Sequence, residues 1–234
     1  MNRLAVMSSE AETRRSHTSA DNLFHHVLAA VDAGRVTANQ RTFDKGDIVF
    51  HEGDPGDSLH LVRQGMFAVR SSAPSGAILI VDILVSGDVF GEFAVFSNQR
   101  RRTTEVKALS PGATLTVERE QFRAAIGFRP ELAEELIAII IGKAESTTQR
   151  LVDLLHVPAE LRVLRALLSM ATLEDASSPV RLTQHELASF AATTRTTANH
   201  VLRHEEERGT VALSRGQVMV LDRRRLAERA GVDP

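Results

Sequence analysis

The segment Gly87-Asp88-Val89-Phe90-Gly91-Glu92-Phe93-Ala94, followed by Arg102-Thr103-Thr104-Glu105-Val106, brings together residue types that hold a small anion. An anion needs exposed backbone N–H groups, close approach and a counter-charge. Gly91 allows close approach, and a short helix starting near Glu92 would aim its first N–H groups at the anion. Arg102 can clasp a phosphate through two parallel hydrogen bonds, and Thr103 adds a hydroxyl donor. Glu92 is an odd neighbour for a phosphate. It fits if it accepts a hydrogen bond from a sugar hydroxyl of the same ligand. In a pocket that has lost its ligand, Glu92 and Arg102 would pair with each other instead. Arg100 and Arg101 read as solvated.

A second set of residues lies near the C-terminus. In Leu182-Thr183-Gln184-His185-Glu186-Leu187-Ala188, Thr183 and Glu186 have the spacing of a capping box for a helix over Gln184 to Phe190. Ala191 to Thr193 makes a turn. Thr194 then caps a second helix that runs to about Arg208 and stops at Gly209. Arg195, at the N-terminal end of that helix, is placed to reach guanine O6 and N7, and Thr183, Thr194 and Thr197 suit caps or phosphates. Thr210 to Leu213, Ser214-Arg215-Gly216 and Gln217 to Leu221 read as a hairpin. Asp222 caps a last short helix. Helix, turn, helix, hairpin is the order of a winged helix-turn-helix.

The elements upstream follow from texture. From Arg41 to about Glu118, short apolar runs alternate with Gly-Asp turns such as Lys45-Gly46-Asp47, Glu52-Gly53-Asp54, Gly56-Asp57 and Ser86-Gly87-Asp88. The runs are Ile48 to Phe50, Leu59 to Val62, Phe67 to Val69, Ile78 to Ile83 and Thr114 to Val117. Turns at roughly every 8 to 12 residues predict an antiparallel roll, barrel or sandwich. Ser19 or Asp21 can cap a helix through Leu23, Val27 and Val31. Pro130 suits the first turn of a longer one. After it, Ala133, Ile137, Ile140, Ala144, Thr147, Leu151 and Leu154 keep an alternating 4-3 spacing, a heptad seam of about three repeats. Leu132, Leu136, Ile139 and Ile141 lie off the seam and need another partner, the β-roll. Val157-Pro158 reads as a hinge before a helix from about Ala159 to Ala171, and Ser177-Ser178-Pro179 as a loop.

Composition is neutral on function. The chain has 234 residues, enough for two modest domains, and no cysteine, which excludes disulfides, thiolate zinc sites and cysteine-ligated iron–sulfur clusters. The formal net charge is −2. From His156 on there are 11 arginines and no lysine against 10 acidic residues, a balance of +1, so charge alone does not point to nucleic acid. Residues 1 to 20 lack the apolar stretch of a signal peptide and read as a flexible tail, and Leu136 to Ile141 is far too short to cross a membrane. His51, Glu52 and His60 raise the alternative of a cupin-like metal enzyme. No His-x-His pair accompanies them, and a turn explains Glu52-Gly53-Asp54. No Ser, His and Asp arrangement matches a hydrolase.

Gly-Glu-Phe-Ala and then Arg-Thr, at Gly91 to Ala94 and Arg102-Thr103, resembles the phosphate-binding cassette of the cyclic-nucleotide-binding domain. With the Gly-Asp turns and the helix-turn-helix, the chain resembles the catabolite activator (CRP/FNR) family over roughly residues 20 to 225. The resemblance implies an α+β fold: a flexible tail over 1–20, an antiparallel cyclic-nucleotide-binding β-roll over 21–129, a dimerisation helix over 130–156 and a winged helix-turn-helix domain over 157–234. It implies no catalytic residues and no metal. The effector would be cAMP or cGMP, in a site of Gly91, Glu92, Phe93, Ala94, Arg102, Thr103, Thr147 and Thr148. Glu92 would hold the ribose 2′-hydroxyl, Arg102 and Thr103 the cyclic phosphate, and Thr147 and Thr148 would stand beside the purine. Thr147 is on the heptad seam, so a base there could touch both subunits of a homodimer and link ligand binding to dimer geometry.

Double-stranded DNA with a pseudo-palindromic site, and RNA polymerase, would be the macromolecular partners, in the cytoplasm. Thr183, Thr194, Arg195, Thr196, Thr197, His200, Arg203 and Arg215 would face the DNA. There are departures. Thr104 stands where the family usually has alanine, Thr196 where its best-known members have glutamate, His200 where they have arginine, and Ala192 where the turn usually has glycine. Another effector, or none, is the alternative within the family; a haem-binding gas sensor would use His51 or His60.

Overall fold

The computed structural model describes residues 20, 22–173 and 179–232. The expected tail before residue 20, the Ser19 and Asp21 caps and Ser177-Ser178 lie outside the described residues. The fold divides into two compact units. One holds the residues up to Thr147 without Ser72–Val81, and the other holds Ser72–Val81 and the chain from Thr148 on.

Helix α1 spans 22–32. The strands that follow are β1 (Ala38–Phe43), β2 (Ile48–Phe50), β3 (Ser58–Gln64), β4 (Phe67–Ser72), β5 (Ile78–Leu84), β6 (Val89–Phe90), β7 (Glu105–Ala108) and β8 (Gly112–Glu118), with the short α2 (Phe93–Phe96) after β6. They make two four-stranded sheets, ordered β1-β8-β3-β6 and β2-β7-β4-β5. The antiparallel register of β3 and β8 sets Leu59 against Val117, His60 against Thr116 and Leu61 against Leu115. Period-two alternation then sorts the side chains by face. Leu59, Leu61, Val89, Leu115 and Val117 join one core with Leu23 and Val27 of α1. Val62 and Phe90 join the other, with Phe43, Val49, Phe67, Leu84 and Val106. The strand boundaries agree with the apolar runs in the sequence; β1, β6 and β7 are additions. At the β3–β4 turn Gly65 has φ 89°, and a Cβ there would lie 2.6 Å from the Gly112 Cα, so the two chains meet only through glycine.

Helices α3 (Arg119–Phe128) and α4 (Glu131–His156) follow, with Pro130 directly before α4. Leu132, Leu136 and Ile139 of α4 are buried in the α1 core together with Phe122 of α3. Ile141 was expected there too and is not: it is 51% exposed. It lies four residues beyond Ile137, also exposed, and two beyond Ile139, so the 100° step per residue turns it away from the sheet.

The second unit is helical with a small sheet. Helix α4 ends at His156 and α5 (Ala159–Leu173) begins past the Val157-Pro158 break. Val163, Leu164, Leu167, Met170 and Ala171 of α5 are buried, as are Leu187 of α6 (Gln184–Phe190), Ala198, Val201 and Leu202 of α7 (Arg195–Glu207), and Leu226 and Ala227 of α8 (Arg223–Ala230). Strands β9 (Val211–Ser214) and β10 (Gln217–Val220) form the hairpin, and Val180 adds an antiparallel bridge to Val218.

His60 is a titratable residue among the side chains inside the roll. It is buried, stacks on Phe90 with ring centroids 4.8 Å apart, and has Thr116 Oγ1 3.1 Å from its Nδ1. Burial, then the positive charges of Arg102 and Arg41, push its pKa down to about 3. Below about pH 6.5 the unfolded chain therefore binds a proton that the folded chain refuses, and stability falls with pH. Between pH 6.5 and 4.5 this group alone should cost about 2 kcal/mol. His60→Gln should lose that much less than wild type over the same interval in urea unfolding followed by circular dichroism, the chain having no Trp or Tyr. Equal losses would contradict the assignment.

Candidate ligand pocket and nucleic-acid interface

Backbone hydrogen bonds place Arg102. Gly53 N–H donates to the Arg102 carbonyl (2.8 Å), Arg102 N–H to the Asp54 carbonyl (2.9 Å), and Gly56 N–H to the Arg100 carbonyl (2.9 Å). The Gly-Asp turns read in the sequence are thus the clamp on residues 100–102. Arg101 is exposed yet anchored, since its guanidinium donates to the Gly53 carbonyl at 2.7 Å.

The Arg102 side chain runs inward and is only 7% exposed. Its Nη1 donates to the Ser58 carbonyl (2.7 Å) and to the Gly91 carbonyl (3.3 Å), and its Nη2 to Ser58 Oγ (3.0 Å). The guanidinium carbon lies 4.1 Å from the centre of the Phe50 ring, a cation–π arrangement. Burial lowers its pKa from the usual arginine value, and Asp57, Glu118, Glu92 and Asp54 oppose that shift. A guanidinium stays charged nonetheless. Arg102 Nε is buried and has no acceptor among the described residues. An orphan charged donor of this kind is costly unless an acceptor reaches it. Gly91, at φ 77°, is required by the same geometry: a Cβ there would lie 2.5 Å from Arg102 Nη1 and 3.1 Å from the Ser58 carbonyl.

Glu92 and Arg102 do not form the direct pair expected of a pocket without a ligand. Glu92 is 2% exposed and is met instead by Lys143 of α4, whose Nζ lies 3.0 Å from Glu92 Oε1 and donates to the Val89 carbonyl at 2.6 Å. Burial works against the Lys143 charge. The Glu92 carboxylate, with Asp82 and Asp88, overcomes it and holds the ammonium pKa above the ordinary lysine value. Lys143 was missed in the sequence. The signal was there, because it precedes Thr147 by one helical turn and so shares its side of α4.

The remaining pocket residues divide. Gly91, Glu92 and Arg102 are brought together, and Ala94 belongs to α2. Phe93 is 49% exposed, and Thr103 is exposed beside the buried Arg102. Thr147 Oγ1 donates to the Lys143 carbonyl at 2.8 Å, while Thr148 begins the second unit; both are exposed. The two histidines weighed as metal or haem ligands have other work. His51 Nδ1 pairs with Glu105 Oε2 at 2.8 Å, and His60 is the core residue described above. Among the described residues, no three His, Cys, Asp or Glu side chains are grouped to hold a metal ion.

The second unit presents the other surface. Both halves of the Thr183 capping box are present, and Thr194 Oγ1 accepts from Thr197 N–H at 3.1 Å. Ala192 adopts φ 50° in the turn between α6 and α7, where glycine would be free of strain. Arg162 of α5 holds that turn. Its Nε donates to the Ala191 carbonyl (3.0 Å) and its Nη2 to the Ala192 carbonyl (2.9 Å). One face of α7 is buried through Ala198, Val201, Leu202 and Glu205, and Arg195, Thr196, His200 and Arg203 are exposed on the other. Arg215 is exposed at the tip of the β9–β10 hairpin beside Gly216, at φ 75°. This arrangement presents hydrogen-bond donors and cations to solvent along one helix and one hairpin tip, which is the chemistry of a groove-reading surface.

The family model of the cyclic nucleotide-binding domain matches residues 40–127, and that of the Crp-like helix-turn-helix domain matches residues 161–229. The chain is 31% identical over 194 residues to a CRP-like cAMP-activated global transcriptional regulator of Mycobacterium tuberculosis, covering 80% of this chain and 86% of that one. It is 30% identical over 210 residues to a cyclic AMP receptor protein of Thermus thermophilus, covering 89% and 96%. Among solved structures, FixK2 from Bradyrhizobium japonicum superposes with a TM-score of 0.74 at 19% identity, covering 85% of this chain and 98% of that one, a likeness of fold.

Proposed function

The chain belongs to the CRP/FNR family of DNA-binding transcription regulators with a cyclic nucleotide-binding domain, and on that premise we propose that it is a homodimeric regulator switched by cAMP. The observation that supports this most directly is Arg102, a buried guanidinium fixed by Ser58 and Gly91 with its Nε lacking an acceptor. A cyclic phosphate supplies an acceptor there. Thr103 adds a hydroxyl, Glu92 takes the ribose 2′-hydroxyl, and Thr147 and Thr148 stand beside the purine. The names of the two relatives, cAMP-activated and cyclic AMP receptor, favour cAMP over cGMP. The relatives are transcription regulators and not enzymes. The chain would work in the cytoplasm, where DNA and RNA polymerase are; among the described residues no helix is long and apolar enough to cross a membrane.

DNA would be read by α7. Arg195 takes a guanine in each half-site, with Thr196 and His200 at neighbouring positions and Arg203, Arg215, Thr183, Thr194 and Thr197 on phosphates. Selection from random duplexes tests this. We expect a symmetric motif with half-site centres about one helical turn apart, recovered with cAMP and depleted without it. Arg102→Ala should remove the cAMP dependence, since losing a buried charge-assisted contact costs about 2 to 5 kcal/mol. No symmetric motif under either condition would overturn the reading.

The second copy is the proposed occupant of the apolar face of α4. Ile137, Leu151 and Leu154 of the heptad seam are exposed, as are Ile141, Val152 and Leu155 beside it. A 3.5-residue apolar repeat is complementary to itself across a two-fold axis. Ile137→Glu with Leu151→Glu would bury unpaired charge in such a seam and should give a monomer by light scattering. A wild-type chain already monomeric at micromolar concentration would contradict the dimer.

A further inference from the structure

Glu205 lies on the apolar face of α7, beside the buried Val201 and Leu202, and is 1% exposed. A leucine would fill that space without desolvating a charge. The carboxylate is fully engaged. Oε1 accepts from Arg229 Nε at 2.9 Å, with Arg229 Nη2 2.8 Å and Arg208 Nη1 3.4 Å away, and Thr210 Oγ1 donates to Oε2 at 2.7 Å. The pair with Arg229 joins α7 to α8. The next residue of α8, Ala230, joins elsewhere: its carbonyl accepts from Arg165 Nε of α5 at 3.1 Å, and Arg165 Nη1 lies 3.1 Å from Asp153 Oδ2, in the last turn of α4. Two adjacent residues at the end of α8 are therefore tied by charged groups to the α7 helix on one side and, through Arg165, to the end of α4 on the other. Glu206, next to Glu205, accepts from Leu213 N–H of the wing at 3.1 Å, so the same stretch of α7 also sets the hairpin.

We infer that Glu205 is a positioning residue for DNA reading, and that the end of α8 is the strut through which it fixes α7 relative to the end of α4. Apolar contacts between smooth helix faces tolerate small slides, whereas a carboxylate held by two arginines and a hydroxyl accepts one geometry. Two base-reading helices on a two-fold dimer must hold a fixed spacing to meet successive grooves, so the strut acts on affinity and base choice without touching DNA. The inference rests on the reading of α7 as the DNA-reading helix.

Glu205→Leu with Arg229→Met tests it, because both charges leave together and the volume is kept. Binding is read by fluorescence anisotropy on the selected duplex, and on a duplex with the guanine facing Arg195 replaced. The melting temperature and cAMP affinity should stay near wild type. Affinity for the selected duplex should fall about tenfold, and the preference for the guanine should shrink with it. An unchanged affinity and preference would overturn the strut. Should the double variant fail to fold, Arg229→Gln cuts the tie to α8 and leaves Thr210 and Arg208 on the carboxylate; the same fall supports the strut, and unchanged binding overturns it. A wild-type chain that selects no duplex defeats the reading of α7, and the strut with it.

Discussion

A cation brought inside a β-roll must be given acceptors, and the first unit is arranged around meeting that demand for Arg102. Two backbone carbonyls, one hydroxyl and one aromatic face surround the guanidinium. Each has a consequence elsewhere. The approach to the Gly91 carbonyl admits no Cβ at position 91. The Phe50 ring that receives the cation belongs to an aromatic group with His60 and Phe90. His60, close to the positive charge and sealed from water, stays neutral. The turn from Gly53 to Gly56 is bound to residues 100–102 through the backbone, so the cation is placed by main chain as well as by side chain. What the arrangement leaves over is one buried N–H, and that remainder gives the pocket its chemistry.

Charge links that pocket to the long helix. Glu92 follows Gly91 directly, and its carboxylate takes Lys143 from the middle of α4. A group that changed the position of Glu92 would act on α4 through an ion pair whose carboxylate is buried and whose ammonium is part-buried, so breaking it leaves a buried charge unpaired. Apolar side chains lie on the exposed face of the same helix, and Thr147 stands one turn past Lys143. In the second unit the same device recurs. Arginines with several acceptors each, Arg162 on the turn before α7 and Arg165 on the end of α8, fix the irregular joints that apolar packing leaves loose.

Much of this was legible in the sequence, and the parts that were not have physical reasons. The Gly-Asp turns bounded most strands because glycine and aspartate mark tight turns directly. The helix-turn-helix could be read from Thr183, Glu186, Thr194 and Gly209, since caps and stops are local signals. Strand β1 was not read as a strand, because Ala38 to Thr42 is polar or small and only Phe43 is buried, and β6, two residues long, was missed as well. Ile141 was assigned to the core on hydrophobicity, but its angular position on α4 decides, and it faces outward. The Glu92–Arg102 register gave the pocket its outline, yet partner choice is a three-dimensional fact: Lys143, 51 residues beyond Glu92, takes the carboxylate. Glu205 was invisible as a buried group, since an acidic residue in Glu205-Glu206-Glu207 reads as solvated until the fold places Arg229 against the first of the three.

The guanidinium of Arg102 and the carboxylate of Glu92 are proposed to form a receptor for a cyclic nucleotide. Isothermal titration calorimetry of the purified wild-type chain, with cAMP and cGMP in separate runs, tests it most directly. The expected result is a saturable binding heat, one nucleotide per chain, with cAMP the tighter ligand. Heats indistinguishable from dilution for both nucleotides would contradict it.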